Sequence, residues 1–160
     1  MAIEIERKFL VRGDGWRSCV IRSEQLCDGL VAATDGRKVR VRLYEERATL
    51  TVKSKQEQGR RSEYEYEIPR EDALEMLREH CSSVVLKKTR HYAFYAGHEW
   101  EIDVYDSPLD GVVLAEVELE SSNEYLCLPE WIGSEVTGLP EYKKINMLRA
   151  RLASSGSSAG

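Results

Sequence analysis

From its third residue the chain alternates charged and apolar side chains with a period of two, and it returns to that pattern repeatedly up to residue 120. Successive side chains of a strand point to opposite faces, so this is the period of a β-strand with one apolar and one polar face. Residues 99–105 set Glu99, Glu101 and Asp103 against Trp100, Ile102 and Val104. Residues 115–120 set Glu116, Glu118 and Glu120 against Ala115, Val117 and Leu119, and residues 63–68 set Glu63, Glu65 and Glu67 against Tyr64, Tyr66 and Ile68. Basic residues follow the same rule. Arg40 and Arg42 oppose Val39, Val41 and Leu43, while Lys53 shares its face with Thr51. The first segment groups Glu4, Glu6 and Lys8 against Ile3, Ile5 and Phe9, with Arg7 interrupting the apolar side. Lys88 and Arg90 share one face, and Lys87 falls on the other.

The pattern predicts strands over residues 2–11, 24–33, 39–43, 49–53, 62–68, 84–95, 99–105 and 113–120. A short helical piece is expected around residues 16–22, and a helix over 71–80 with Ala73, Leu74 and Leu77 as its apolar stripe. An irregular or helical stretch follows residue 120, and Pro140 opens a last helix through Leu152. Most links between strands are too short for the crossover that a parallel pair requires. The expected fold class is therefore α+β: an eight-stranded antiparallel β-barrel with helices packed outside. Residues 1–153 read as one domain, and the Ser/Gly-rich residues 154–160 as a disordered tail. Residues 156–160 match G-x-S-x-G, but that chemistry needs a strained strand-to-helix turn, which the end of the chain does not provide.

A polar face turned to water is the ordinary reading of any single half-buried strand. Here the charges are sorted by sign, in runs of two or three at spacing i, i+2, and like charges so close repel. Eight strands close into a barrel that just holds one small ligand. With the charged faces inward the lumen must be wet and compensated, because an unpaired buried ion costs on the order of several kcal/mol. Such a tunnel suits a polyanion with metal ions. Arg offers phosphate a planar fork and Lys a point charge, so Lys8, Arg40, Arg42, Lys53, Lys88 and Arg90 form the expected cradle, with Glu63 and Glu65 beside it. Mg²⁺ or Mn²⁺ takes carboxylates, phosphate oxygens and water, which nominates Glu4, Glu6, Asp103, Glu116 and Glu118 as metal holders. Glu4, Glu6, Lys8, Arg40, Lys53 and Glu116 are the expected catalytic set.

Other chemistries find less support. The net charge of −5 argues against nucleic-acid binding through overall basicity. Cys19, Cys27, Cys81 and Cys127 are scattered without a C-x-x-C pair, and His80, His91 and His98 lack metal-ligand spacing. There is no Walker A loop and no dinucleotide fingerprint. No stretch nears the roughly 20 apolar residues of a membrane span, and the first ten residues are unlike a signal peptide. A cytoplasmic protein without membrane or nucleic-acid partners is expected.

The opening Glu4-x-Glu6-x-Lys8 resembles the E-x-E-x-K signature of the CYTH superfamily, the triphosphate tunnel metalloenzymes. Residues 39–42, 50–53, 63–65, 88–90, 100–104, 115–118 and 131–137 extend the resemblance in order over nearly the whole chain. It implies an eight-stranded antiparallel tunnel, a divalent metal, a triphosphate-bearing small molecule as substrate, and a C-terminal helix across one tunnel mouth. Tyr142, Lys143 and Lys144 fall in that helical segment, and the roles of Lys143 and Lys144 are left open, as is homodimerisation. Residues 4–10 most resemble the short inorganic tripolyphosphatases, so hydrolysis of tripolyphosphate is the expected activity. Adenylyl cyclisation and thiamine triphosphate hydrolysis use the same scaffold, and a non-catalytic polyphosphate or nucleotide binder is the alternative from another class. Tyr44, Tyr92 and Tyr105 could stack on a nucleobase, but a packing or rim role is the favoured reading for each, and no residue group marks an adenine pocket. The chain departs from the family pattern in reading Asp28-Gly29-Leu30-Val31 where relatives often have Gln-Gly-Tyr-Leu, and in carrying Lys144 where many have Asn.

Overall fold

The computed structural model describes residues 2–81 and 85–157. Its strands are β1 (Ile3–Val11), β2 (Val20–Thr34), β3 (Arg37–Leu43), β4 (Ala48–Lys53), β5 (Arg60–Ile68), β6 (Leu86–Tyr95), β7 (His98–Tyr105), β8 (Val113–Glu118) and β9 (Ile132–Glu135). Helix α1 (Arg70–Glu79) follows β5, and α2 (Lys144–Ser157) ends the described chain. The sheet runs β5-β4-β3-β2-β6-β7-β8-β1-β9 with antiparallel pairings, and β5 also pairs with β1. That last pairing, Ile3 opposite Ser62 and Ile5 opposite Arg60, closes eight strands into a ring. The second half of β1 pairs with β9 instead.

Closure depends on Gly59. Its φ of +75° suits glycine, and a Cβ there would stand 2.9 Å from the Glu6 carbonyl oxygen. The bare backbone lets the Glu6 amide donate to the Gly59 carbonyl at 3.0 Å, fastening the β5 hairpin to β1.

The apolar faces point outward and are covered in two places, while Val52, Tyr64 and Tyr66 stay exposed. Phe9, Trp100, Ile102, Ala115 and Val117 pack under Trp16, Leu126, Trp131 and Ile132. Trp100 meets Phe9 and Trp131 edge-on, with ring centroids 5.5 and 5.7 Å away. On the other side α1 lays Ala73, Met76 and Leu77 against Val31, Val41, Leu43 and Leu50. Gly29 allows that approach: a Cβ there would lie 2.5 Å from Cys81 Sγ and 2.7 Å from Leu77 Cδ2. Gly29→Ala should therefore cost about 1–3 kcal/mol in urea unfolding, and adding Cys81→Ala should recover part of the loss. An unchanged midpoint would show that α1 yields freely.

A third cluster sits inside one end of the ring. Leu10, Leu86, Tyr105 and Leu114 occupy the inward positions of their strands there, and Tyr142, Met147 and Leu148 pack onto them. The C-terminal segment thus covers the tunnel end where the inward face changes from charged to apolar.

Several boundaries differ from the sequence expectation. The early helical piece is a 3₁₀ turn confined to Gly15–Cys19, so β2 starts at Val20 rather than residue 24. Val84, the expected start of a strand, lies outside the described residues, and β6 is described from Leu86. The irregular stretch expected after residue 120 is present, and an unexpected ninth strand follows it at Ile132–Glu135. It has no alternation of its own and is held by the edge of β1, where the Val136 amide donates to the Lys8 carbonyl and the Lys8 amide to Thr137 Oγ1. Helix α2 continues to Ser157, past Ala153 where a tail was expected, and residues 158–160 lie outside the described ones. The two exceptions to alternation are outward charges. Arg7 pairs with Glu135 on β9 at 2.9 Å and covers the Phe9 ring, and Lys87 is exposed.

Candidate active site

The inward faces enclose a cavity of ≈ 1030 Å³. Glu4, Glu6 and Lys8 reach it from β1, Arg40 and Arg42 from β3, Lys53 from β4, Glu63 and Glu65 from β5, Arg90 from β6, and Glu116 and Glu118 from β8. Of the residues expected in the site, Lys88 and Asp103 are missing from this lining. Asp103 is 1% exposed and accepts from Lys88 Nζ at 2.7 Å and from Arg90 Nε and Nη2 at 2.8 and 2.9 Å. Both its oxygens are occupied, so Asp103 is a buried counter-ion in the wall rather than an open carboxylate for metal. Lys88 is likewise committed to the wall.

The acidic side is built on β1 and β8, whose pairing sets Glu6 opposite Glu118 and Lys8 opposite Glu116. Burial, then the charges of Glu116 and Glu4, push the Glu6 carboxyl up to about 8. Burial would raise Glu4 too, yet Lys53 and hydrogen bonds with Glu63 and Arg61 hold it down to about 2. Glu116 also resists burial: Lys8, 3.7 Å away, and Lys144 keep its carboxyl well below the ordinary range.

The basic side is less satisfied. Arg40 is half-buried, its buried Nε has no hydrogen-bond partner, and its Nη2 lies 3.5 Å from Thr51 Oγ1 and 3.9 Å from Glu65. Burial and the Arg42 charge both press its pKa downward. An under-partnered guanidinium facing a cavity is a ready receptor for an anion. Arg42 instead gives Nε and Nη2 to Asp28 at 2.6 and 2.8 Å.

Four inward residues escaped the sequence reading. Arg61 spans Glu4 at 2.9 Å and Glu6 at 3.1 Å. It lies two positions before Glu63, and extending the alternation by one step would have found it. Lys38 lies two before Arg40 in the same way. Burial and the charges of Arg61, Lys8 and Lys53 lower it to about 8. Asp28 and Lys144 showed only as departures from a family pattern, and they meet in the tunnel at 3.6 Å.

An antiparallel tunnel with facing acidic and basic walls defines a container for a small polyanion. The CYTH domain model matches residues 2–147, and the chain belongs to the CYTH family. It is 38% identical over 149 residues to an inorganic triphosphatase from Acetivibrio thermocellus, covering 93% of this chain and 95% of that protein. The crystal structure of an inorganic triphosphatase shares the fold with a TM-score of 0.62 and 32% identity, covering 92% of this chain and 95% of its own. A putative adenylyl cyclase from Hippeastrum with a dominant triphosphatase activity matches at TM-score 0.52 and 16% identity over 76% of this chain and 80% of its own, a likeness of fold alone. No described helix is long and apolar enough to cross a membrane.

Proposed function

We propose that this chain is a metal-dependent inorganic triphosphatase that hydrolyses tripolyphosphate within the tunnel. One observation carries the reading: the half-buried, under-partnered Arg40 shares a cavity with a wall on which Glu6 is crowded by Glu4 and Glu116. The first needs an anion and the second needs a cation. A phosphate chain with a divalent metal supplies both.

The donor set fits such a metal. Among the described residues no three carboxylate, imidazole or thiolate groups form a ready coordination sphere. Mg²⁺ is commonly held by one or two carboxylates together with substrate phosphates and water, and Glu4, Glu6, Glu116 and Glu118 offer those carboxylates. When bound, Mg²⁺ or Mn²⁺ would polarise phosphate oxygens and help activate water. Arg40 and Lys53 hold the phosphate chain, Lys53 lying 3.6 Å from Glu4, and Lys8 lies beside Glu116 at 3.7 Å. Phosphoryl transfer asks chiefly for such positioning and charge stabilisation. Glu63 and Glu65 keep Lys53 and Arg40 in place, at 3.1 and 3.9 Å.

Of the tyrosines considered for a nucleobase, Tyr44 and Tyr92 line the cavity with an arginine already on the ring, and Tyr105 is outside the lining. Arg22 stacks on Tyr92 at 3.5 Å and Arg47 on Tyr44 at 3.7 Å, while Tyr105 is buried among apolar side chains. Phosphate release should therefore be fastest from tripolyphosphate among tripolyphosphate, pyrophosphate, ATP and thiamine triphosphate, tested with Mg²⁺ and Mn²⁺. Arg40→Ala should lower the rate by about 10²–10³, the usual cost of losing one donor to developing charge. Cyclic AMP as main product from ATP with tripolyphosphate left intact, or binding without turnover, would overturn the reading.

A further inference from the structure

Asp28 is the point where the C-terminal helix and the basic wall meet. It sits on β2 opposite Arg42 of β3 and is 7% exposed. Arg42 grips it with two donors at 2.6 and 2.8 Å, Lys88 of β6 lies 3.7 Å away, and Lys144, the first residue of α2, lies 3.6 Å away. Three cations from three elements therefore share one carboxylate. Asp103 compensates Lys88 at 2.7 Å, which leaves Asp28 as the ion-pair partner the structure shows for both Arg42 and Lys144. Position 28 and position 144 are also places where this chain departs from the family pattern, and the fold brings them into contact.

The arrangement fixes two things at once. With Nε and Nη2 of Arg42 committed to Asp28, the guanidinium plane cannot turn, and its remaining Nη1 has a set direction. Lys144 lines the cavity, and without Asp28 it would face Arg42, Lys88 and Arg40 with no carboxylate between them. Burial and those charges already draw the Lys144 ammonium well below its ordinary range, and Asp28 opposes them. Removing that carboxylate should drive Lys144 out toward water and take the first turn of α2 with it. The rest of α2 is held differently, by Leu148 in the apolar cluster and by Arg151 donating to the carbonyls of Pro108 and Asp110 at 3.0 and 3.1 Å.

We propose that Asp28 is a positioning residue for the triphosphatase reaction: it ties the start of α2 to the basic wall by holding Arg42 and Lys144 together, and so presents Lys144 to the phosphate chain. The catalytic half of this statement rests on the function proposed above; the tie itself does not. It adds a polar anchor at the first residue of α2 to the apolar packing of Tyr142, Met147 and Leu148.

Hydrogen exchange and steady-state kinetics on the full chain test it, with Asp28→Asn, Lys144→Met, their double variant and Lys144→Arg. Asp28→Asn and Lys144→Met should each speed amide exchange in the first turns of α2 about tenfold, leaving β6 and β7 unchanged. The double variant should be no faster than either single one, since one tie is lost in each case. Lys144→Arg keeps the charge and should keep the protection. With tripolyphosphate, KM should rise about tenfold in the unprotected variants while kcat changes less than threefold. Should Asp28→Asn fail to fold, Lys144→Met carries the same expectation while leaving the Asp28 carboxylate its two hydrogen bonds from Arg42. Unchanged exchange in Lys144→Met, or fully additive effects in the double variant, would overturn the tie. The exchange arm decides this whichever substrate the protein hydrolyses.

Discussion

Glu6→Gln is expected to abolish nearly all metal-supported turnover while raising the thermal stability of the metal-free protein at pH 8. The two effects share one cause. Glu6 is buried beside Glu116 and Glu4, and its carboxyl is pushed from 4.5 to about 8. A group whose folded pKa lies above its unfolded value favours folding most at low pH, and that contribution disappears as pH rises through the folded pKa. Between about pH 5 and pH 8 the wild-type tunnel thus loses stability that a neutral glutamine keeps. Each pKa unit corresponds to about 1.4 kcal/mol, so the gap should reach a few kcal/mol at pH 8. Melting temperatures in chelator at pH 5, 6.5 and 8 should show the two proteins diverging as pH rises. Added Mg²⁺ should close the gap from the wild-type side only. Equal melting temperatures throughout, or full turnover of Glu6→Gln at saturating metal, would remove Glu6 from the metal side of the tunnel.

The tunnel was legible because its strands obey a strict period of two. Once Glu99, Glu101 and Asp103 share a face with no apolar residue among them, the remaining question is whether that face looks inward. The repetition of single-sign runs on several strands answered it. Period says nothing, however, about depth along a strand. Lys88 and Arg90 are indistinguishable by alternation, yet Arg90 reaches the cavity while Lys88 stops behind it, bonded to Asp103. Nor does it disclose strands lacking the pattern: β9 carries Gly133 and Ser134 and exists because β1 leaves an edge beyond its pairing with β5. Arg61 and Lys38 were lost to boundaries drawn one or two residues short. Asp28 was hidden for another reason. Its importance comes from Arg42, Lys88 and Lys144, which are remote in sequence and meet only when the ring closes.

Asp103→Asn should do the opposite of Glu6→Gln, although both remove one inward carboxylate from the same ring. Asp103 accepts three hydrogen bonds from Lys88 and Arg90, and against the effect of burial these two cations hold its pKa far below 3.8. Asparagine preserves the shape but cannot balance them. Arg90 keeps Glu101 at 2.7 Å, whereas Lys88, 1% exposed, is left with Asp28 at 3.7 Å. Breaking a buried pair by removing one partner typically costs about 3–5 kcal/mol. The chain can limit that cost by releasing the Lys88 proton, which from an ordinary value of 10.5 takes about 5 kcal/mol at pH 7 at about 1.4 kcal/mol per unit. That ceiling drops with every unit of pH, since the unfolded lysine then holds its proton less firmly. The loss measured by urea unfolding should therefore be about 3–5 kcal/mol at pH 7 and clearly smaller at pH 9. In acid the curves should converge as well. A lowered carboxylate contributes stability above its unfolded pKa of about 4 and loses it as pH falls toward its folded one. The destabilisation should thus be greatest near neutrality and shrink on both sides. A loss below about 1 kcal/mol at pH 7, or one that is flat with pH, would mean that Lys88 and Arg90 find other partners and that Asp103 is free to serve the cavity after all.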